Sequence, residues 1–185
     1  MKQVELKFLE VNVEEIVAKL EALECQRVFE GNLEDAILDS ATGTLKTKKM
    51  TLRVRNLGNR SQVTLKQKIS KVEAKITEDT EFYCDDYERA LAFFHALGYV
   101  TVRTGIKHRV SYQLLDEHGH MSFELDTPSS IPTWLEIEAP TLGLMEKYVK
   151  LLDLDMACAK SWTTADVLAH YKSQTSSPNP TSSSL

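Results

Sequence analysis

With 185 residues, the chain is long enough for one domain with a substantial core and too short to favour two full domains. Its formal net charge of −5, with 26% charged residues, argues against general nucleic-acid binding, which needs a basic surface. No apolar run approaches the roughly 18 residues of a membrane span, and the first segment carries charge where a secretory leader would be apolar.

A cytoplasmic protein with no membrane partner is therefore expected. Cys25, Cys84 and Cys158 are widely spaced, with no CxxC and no Cys/His ligand spacing, and are read as reduced, partly buried thiols.

The first predicted element is a strand over Gln3-Val4-Glu5-Leu6-Lys7-Phe8, in which alternation separates Gln3, Glu5 and Lys7 from Val4, Leu6 and Phe8. Asn12 with Glu15 three residues on makes a capping box for a helix over about 13 to 24, its apolar stripe being Ile16, Val17, Leu20 and Leu23. Arg27 to Asp39 suggests a bent or paired strand, because turn-like Gly31-Asn32 interrupts it. Met50 to Asn56 and Gln62 to Ile69 read as an antiparallel pair across a Gly- and Asn-containing loop.

Lys75 to Tyr83 is a strand of ambiguous register whose charged face mixes signs. Asp86 opens a second helix with Ala90, Leu91, Phe94 and Leu97 on one side, ended by Gly98. Val100 to Arg103, Lys107 to Leu115, Met121 to Asp126 and Thr133 to Ala139 read as further strands, and Leu142 to Leu152 as a third helix. Thr163 with Asp166 caps a last helix through Tyr171. This gives one domain over 1–172. The tail over 173–185, rich in Ser, Thr and Pro, lacks the apolar surface to offset its ordering entropy and is expected to be disordered.

The charged faces carry the chemistry. Lys7, Arg53, Arg55, Lys66, Lys68, Lys107 and Arg109 form one set, and Glu5, Glu124, Asp126, Glu136 and Glu138 the other. Like charges at i and i+2 cost free energy on a face buried alone, so basic pairs beside acidic pairs point to a shared interior made for ions. A closed antiparallel barrel of about eight strands would bring them together, with inward positions alternating along every strand. Such an interior suits a polyphosphate: Arg and Lys grip phosphoryl oxygens, while carboxylates hold a hard divalent cation.

The chain resembles the CYTH family, the triphosphate tunnel metalloenzymes, which includes class IV adenylate cyclases and thiamine triphosphatases. The resemblance covers about residues 1 to 172. Gln3-Val4-Glu5-Leu6-Lys7 is similar to the opening ExExK, with Gln3 in place of the first acid. Arg53/Arg55 and Lys66/Lys68 resemble the basic strands, Lys107-His108-Arg109 the later KxR strand, and Leu135-Glu136-Ile137-Glu138 the closing ExE strand. Lys160-Ser161-Trp162 resembles the KSY or RSY before the last helix, and Asp35-Ala36-Ile37 stands where many members have Asp-x-Tyr.

The resemblance implies an α+β fold, an eight-stranded antiparallel β-barrel open at both ends with flanking helices. It implies substrate binding by Arg53, Arg55, Lys66, Lys68, Lys107, Arg109 and Lys160, and catalytic roles for Lys7, Arg53 and Lys107. Mg2+ or Mn2+ would be held by Glu5, Glu136, Glu138 and Asp126. The function implied is metal-dependent hydrolysis of a triphosphate, inorganic or organic such as thiamine triphosphate. The alternatives are a class IV adenylate cyclase, forming cyclic AMP and pyrophosphate from ATP, and a non-catalytic polyphosphate- or nucleotide-binding module. The expected partner is a triphosphate-containing small molecule rather than a nucleic acid, and a homodimer is compatible with the pattern.

Overall fold

The computed structural model describes residues 2–70 and 75–175. Eight strands close into an antiparallel barrel: β1 (Lys2–Leu9), β2 (Gln26–Ser40), β3 (Met50–Asn56), β4 (Ser61–Ser70), β5 (Lys75–Cys84), β6 (Tyr99–Asp116), β7 (Gly119–Pro128) and β8 (Trp134–Ala139). Around the ring they run β1-β5-β4-β3-β2-β6-β7-β8. The helices are α1 (Val13–Ala22), α2 (Thr44–Thr47), α3 (Tyr87–Ala96), α4 (Leu142–Leu151) and α5 (Thr164–Thr175), with a 3-10 turn at Met156–Cys158.

The barrel is polar inside and apolar outside. Alternation turns Val4, Leu6 and Phe8 of β1, Phe123 and Leu125 of β7, and Leu135 and Ile137 of β8 outward, where they pack against Ile16 and Leu20 of α1 and Leu144, Met145, Tyr148 and Val149 of α4. Burying each large aliphatic side chain in this layer contributes about 1.5–3 kcal/mol. A second layer joins Ala36, Leu38, Leu52, Val54 and Val63 to Tyr87 of α3 and Leu45 of α2. A third sets Val167 and Tyr171 of α5 on Trp134. With the hydrophobic core outside the ring, the interior is left for ions.

The expected caps are present. Asn12 Oδ1 accepts from Glu15 N, Asp86 Oδ1 from Arg89 N, and Thr163 Oγ1 from Asp166 N, while Asp166 Oδ2 accepts from Thr163 N.

β6, α2 and α5 differ from the reading of the sequence. Of the two readings of β2, bent or paired, the bent strand is found: Gly31 and Asn32 pair with Arg109 and His108 instead of turning, and register shifts near Phe29 and Leu38 supply its bends. β6 likewise runs unbroken through Thr104-Gly105-Ile106, held along its length by β2. The short helix α2 had no periodic signal; the Asp39 carboxylate makes it, accepting from the backbone N–H groups of Ser40, Leu45 and Lys46. α5 extends to Thr175, three residues past the expected domain boundary, and the rest of the tail lies outside the described residues. Among the described residues, no helix is long and apolar enough to cross a membrane.

Candidate active site in the tunnel

The acidic wall is made by β1 and β8, paired so that Glu5 stands beside Glu138 and Lys7 beside Glu136. Carboxylate oxygens of Glu5, Glu136 and Glu138 lie within 4.8 Å of one another. Lys7, 1% exposed, donates from Nζ to Glu5 and Glu136 and so fixes two of the three. Burial disfavours its charge, yet Glu136 and Glu5 outweigh that and raise its pKa above the ordinary lysine value. Burial and the neighbouring Glu136 push Glu138 up to about 7. Three converging carboxylates, one of them strained towards its neutral form, are a donor set that fits a hard divalent cation.

Half-way round the ring, β2 and β3 carry the basic wall. Arg55 is held by Asp35 through two parallel bonds, Nε to Oδ1 at 2.6 Å and Nη2 to Oδ2 at 2.8 Å. Burial works against the charge of Asp35, but Arg55, Arg53 and Lys107 hold its pKa well below the usual carboxylate range. Arg53 has no such partner among the described residues. Its Nη2 donates to Gln62 Oε1 and Thr64 Oγ1, both at 3.3 Å, and its buried Nε donates to nothing. Burial and the adjacent Arg55 lower its pKa to about 10.

On β6, Arg109 and Lys107 share Asp126 of β7. Arg109 Nε and Lys107 Nζ each approach one of its oxygens at 2.5 Å. Burial and Arg109 bring Lys107 down to about 8 in spite of Asp126, whereas Arg109 itself is raised above its ordinary value by Asp126 and Glu124, against burial. Glu124 accepts from Ser111 and Ser122. On the remaining wall Lys66 pairs with Asp79, and Gln62 donates to Glu81 Oε2 at 3.0 Å.

These walls enclose a cavity of about 1060 Å³. Of the residues singled out in the sequence, Glu5, Arg53, Arg55, Lys66, Lys68, Lys107, Arg109, Glu124, Glu136 and Glu138 line it, and Gln3 does too. Three do not. Lys7 sits behind the carboxylates it holds. Asp126, 0% exposed, has both oxygens committed to Lys107 and Arg109 rather than joining the acidic trio. Lys160 bridges to Lys7 through backbone N–H and C=O groups, and its Nζ lies 5.9 Å from the Trp162 ring centroid.

Asp35, Asp79, Arg103, Lys46 and Lys49 also line the cavity, although none was counted among the ionic faces. The doublet signal passed over Asp35 and Arg103 because each lacks a like-charged neighbour two residues away, and Asp79 because its strand mixes signs.

A profile of the CYTH domain matches residues 1–141. The chain belongs to the CYTH family. No curated protein sequence matches it. Among solved structures, this CYTH chain is similar to a Pyrococcus horikoshii protein with 23% identity and a TM-score of 0.73, covering 89% of this chain and 98% of the other. A Vibrio parahaemolyticus protein described as a candidate adenylate cyclase has 18% identity and a TM-score of 0.70, covering 90% and 97% of the two chains. A Hippeastrum protein, described as a candidate adenylyl cyclase with a dominant triphosphatase activity, has 16% identity and a TM-score of 0.61, with 97% of each chain covered. At these identities the likeness is one of fold.

Proposed function

We propose that this CYTH protein hydrolyses a triphosphate, inorganic or organic, inside the tunnel with Mg2+ or Mn2+ held by Glu5, Glu136 and Glu138. The observation that carries this reading is Arg53: a guanidinium whose buried Nε–H meets no acceptor among the described residues and whose charge is opposed by burial and by Arg55. A charge so placed is stabilised by an anion in the cavity, and Lys107, lowered to about 8 for related reasons, responds to the same anion. Arg53, Arg55, Lys107 and Arg109 bind and orient the phosphoryl oxygens.

Lys7 holds Glu5 and Glu136 in place. A divalent cation bound by the acidic trio would neutralise phosphate charge and orient the reacting phosphoryl group. The dominant triphosphatase activity named for the Hippeastrum neighbour favours hydrolysis over cyclisation as the first reaction to test.

Inorganic triphosphate at millimolar concentration is expected to raise the melting temperature. Incubation of inorganic triphosphate, ATP and thiamine triphosphate with Mg2+ or Mn2+ is expected to release orthophosphate. Cyclic AMP from ATP would assign the cyclase reaction instead, and an unchanged melting temperature would remove the tunnel as the binding site.

A further inference from the structure

The two mouths of the tunnel differ in charge. A side chain that lines the cavity and is also exposed stands at an opening, and such side chains gather at opposite ends of the barrel. At one end β2 and β4 finish while β3 and β6 start, because each neighbouring pair is antiparallel. Lys46 and Lys49 are exposed there, and half-buried Lys68 and Arg103 line the cavity beside them. The backbone gathers these cations: Lys68 N donates to Lys49 O at 2.9 Å, and Asp39, at the end of β2, holds α2 and so Lys46 by accepting from the N–H groups of Leu45 and Lys46. Asp39 offsets part of the Lys46 charge, and none of the four cations forms an ion pair among the described residues, so this mouth is net positive. At the other end β5 and β6 finish while β4 and β7 start. Its exposed lining residues are Glu81, Tyr83 and His120, with half-buried Gln62 and Gln113. Arg55 stands opposite Gln62 in the register, but it is 5% exposed and bound to Asp35.

Resting on the triphosphatase reading, we propose that the triphosphate enters through the mouth formed by Lys46, Lys49, Lys68 and Arg103, and that the exposed pair Lys46 and Lys49 sets the rate of capture rather than the lifetime of the bound complex. A triphosphate carries several negative charges, and a cleft lined by one sign of charge raises the local concentration of such an ion and its association rate by about 10- to 1000-fold. Charges at a rim act on association and its salt dependence, whereas buried, paired charges act on dissociation. The register continues the path inward: Arg103 stands beside Ile37 of β2, and Ile37 beside Arg53 of β3, the buried guanidinium with an unfilled donor. The opposite mouth, with Glu81 exposed, offers an incoming polyanion no comparable attraction.

Stopped-flow mixing of inorganic triphosphate with the metal-free protein tests this, read from the emission of Trp134, whose ring centroid lies 5.6 Å from Lys107 Nζ in the phosphate-binding wall. The variants are Lys49→Gln, the double variant Lys46→Gln/Lys49→Gln, and Arg60→Gln. Arg60 is exposed, lies outside the cavity lining and sits 4.1 Å over the Tyr83 ring, so its loss removes one positive charge at the opposite mouth. At about 0.1 M salt, where charges reach roughly 10 Å, association should slow about threefold in Lys49→Gln and about tenfold in the double variant, with dissociation within about twofold of wild type. Arg60→Gln should associate as wild type does. At about 1 M salt, where the reach falls to roughly 3 Å, the variants should converge on wild type. Equal slowing by Arg60→Gln and Lys49→Gln, or an unchanged association rate in the double variant, overturns the entry mouth while leaving the tunnel reading intact. Faster dissociation with unchanged association would make the two lysines contacts of the bound anion and overturn their role in capture. Failure of wild type to bind inorganic triphosphate by calorimetry overturns the tunnel reading itself, and the entry mouth with it.

Discussion

Asp126 and Arg109 form a two-point ion pair across β7 and β6, Nε to Oδ1 at 2.5 Å and Nη2 to Oδ2 at 2.6 Å. With Lys107 on the same carboxylate, Asp126 balances two buried cations at the edge of the tunnel. Asp126→Ala should therefore destabilise the protein by about 3–5 kcal/mol, the cost of stranding buried charge, as read from urea unfolding. Metal affinity of the folded variant should be unchanged. A large loss of metal affinity with little loss of stability would make Asp126 a ligand instead.

The two arginines of β3 should behave differently. Arg53→Ala removes a cation that has no carboxylate partner among the described residues, so triphosphate binding should weaken about 10- to 100-fold while the fold persists. Arg55→Ala leaves Asp35 in the tunnel wall without its two-point partner and should in addition cost about 3–5 kcal/mol of stability. Calorimetry and denaturant midpoints on the pair separate the effects, and equal destabilisation by both would refute the distinction.

Lys107, brought down to about 8 by burial and by Arg109, should make triphosphate binding depend on pH. As pH rises through about 8 the empty site loses this positive charge, so affinity should fall by up to tenfold per pH unit, with proton uptake on binding. The effect on stability has the other sign. An unfolded lysine keeps its proton to about 10.4, so between these values the unfolded state binds more protons and the apo protein gains stability as pH rises. Lys107→Arg, charged throughout, should flatten the affinity profile. A wild-type profile flat from pH 7 to 9.5 would contradict the assignment.

Which residues face the tunnel was legible wherever like charges recur at i and i+2, as in Arg53/Arg55, Lys66/Lys68 and Glu136/Glu138, because the period-two pleat translates spacing directly into a common face. Register was not legible. Alternation puts Asp126 on the ionic face without revealing that it stands across from Arg109, seventeen residues away in the chain. The same holds for Lys66 and Asp79, whose pairing resolves the mixed signs of β5. Lys7 shows a further limit: its parity is that of the tunnel face, but the two carboxylates that hold it leave it behind the lining. The unbroken β6, read as two strands over Val100 to Arg103 and Lys107 to Leu115, was hidden because the ladder to distant β2 is what holds Thr104-Gly105-Ile106 extended.

Glu136 and Glu138 together should set the metal requirement. Replacing both with Gln keeps shape and removes two charges, so metal-dependent turnover should need much higher Mg2+ or Mn2+ while the melting temperature persists. Because Glu138 sits at about 7, protons and metal compete there, and wild-type metal affinity should rise with pH up to that value and then level off. Full turnover by the double variant at wild-type metal concentrations would reduce the acidic pair to a solvated face.

Gln3→Glu tests the departure from the family's opening motif. Gln3 pairs with Thr77 on β5, lines the tunnel and shares the inward face of β1 with Glu5, one pleat repeat away. The amide oxygen of Gln3 can coordinate a hard cation but contributes no net charge, whereas a carboxylate there adds to the attraction of the trio. At an exposed edge the added charge would be screened by water and salt and would change little. Inside the tunnel it should lower the metal concentration needed for half-maximal activity and raise turnover if the wild-type metal site is weakened by the missing acid. Titration of activity, or of bound Mn2+ by calorimetry, for the two proteins in the same salt makes the comparison; an unchanged metal affinity would mean that position 3 does not reach the cation.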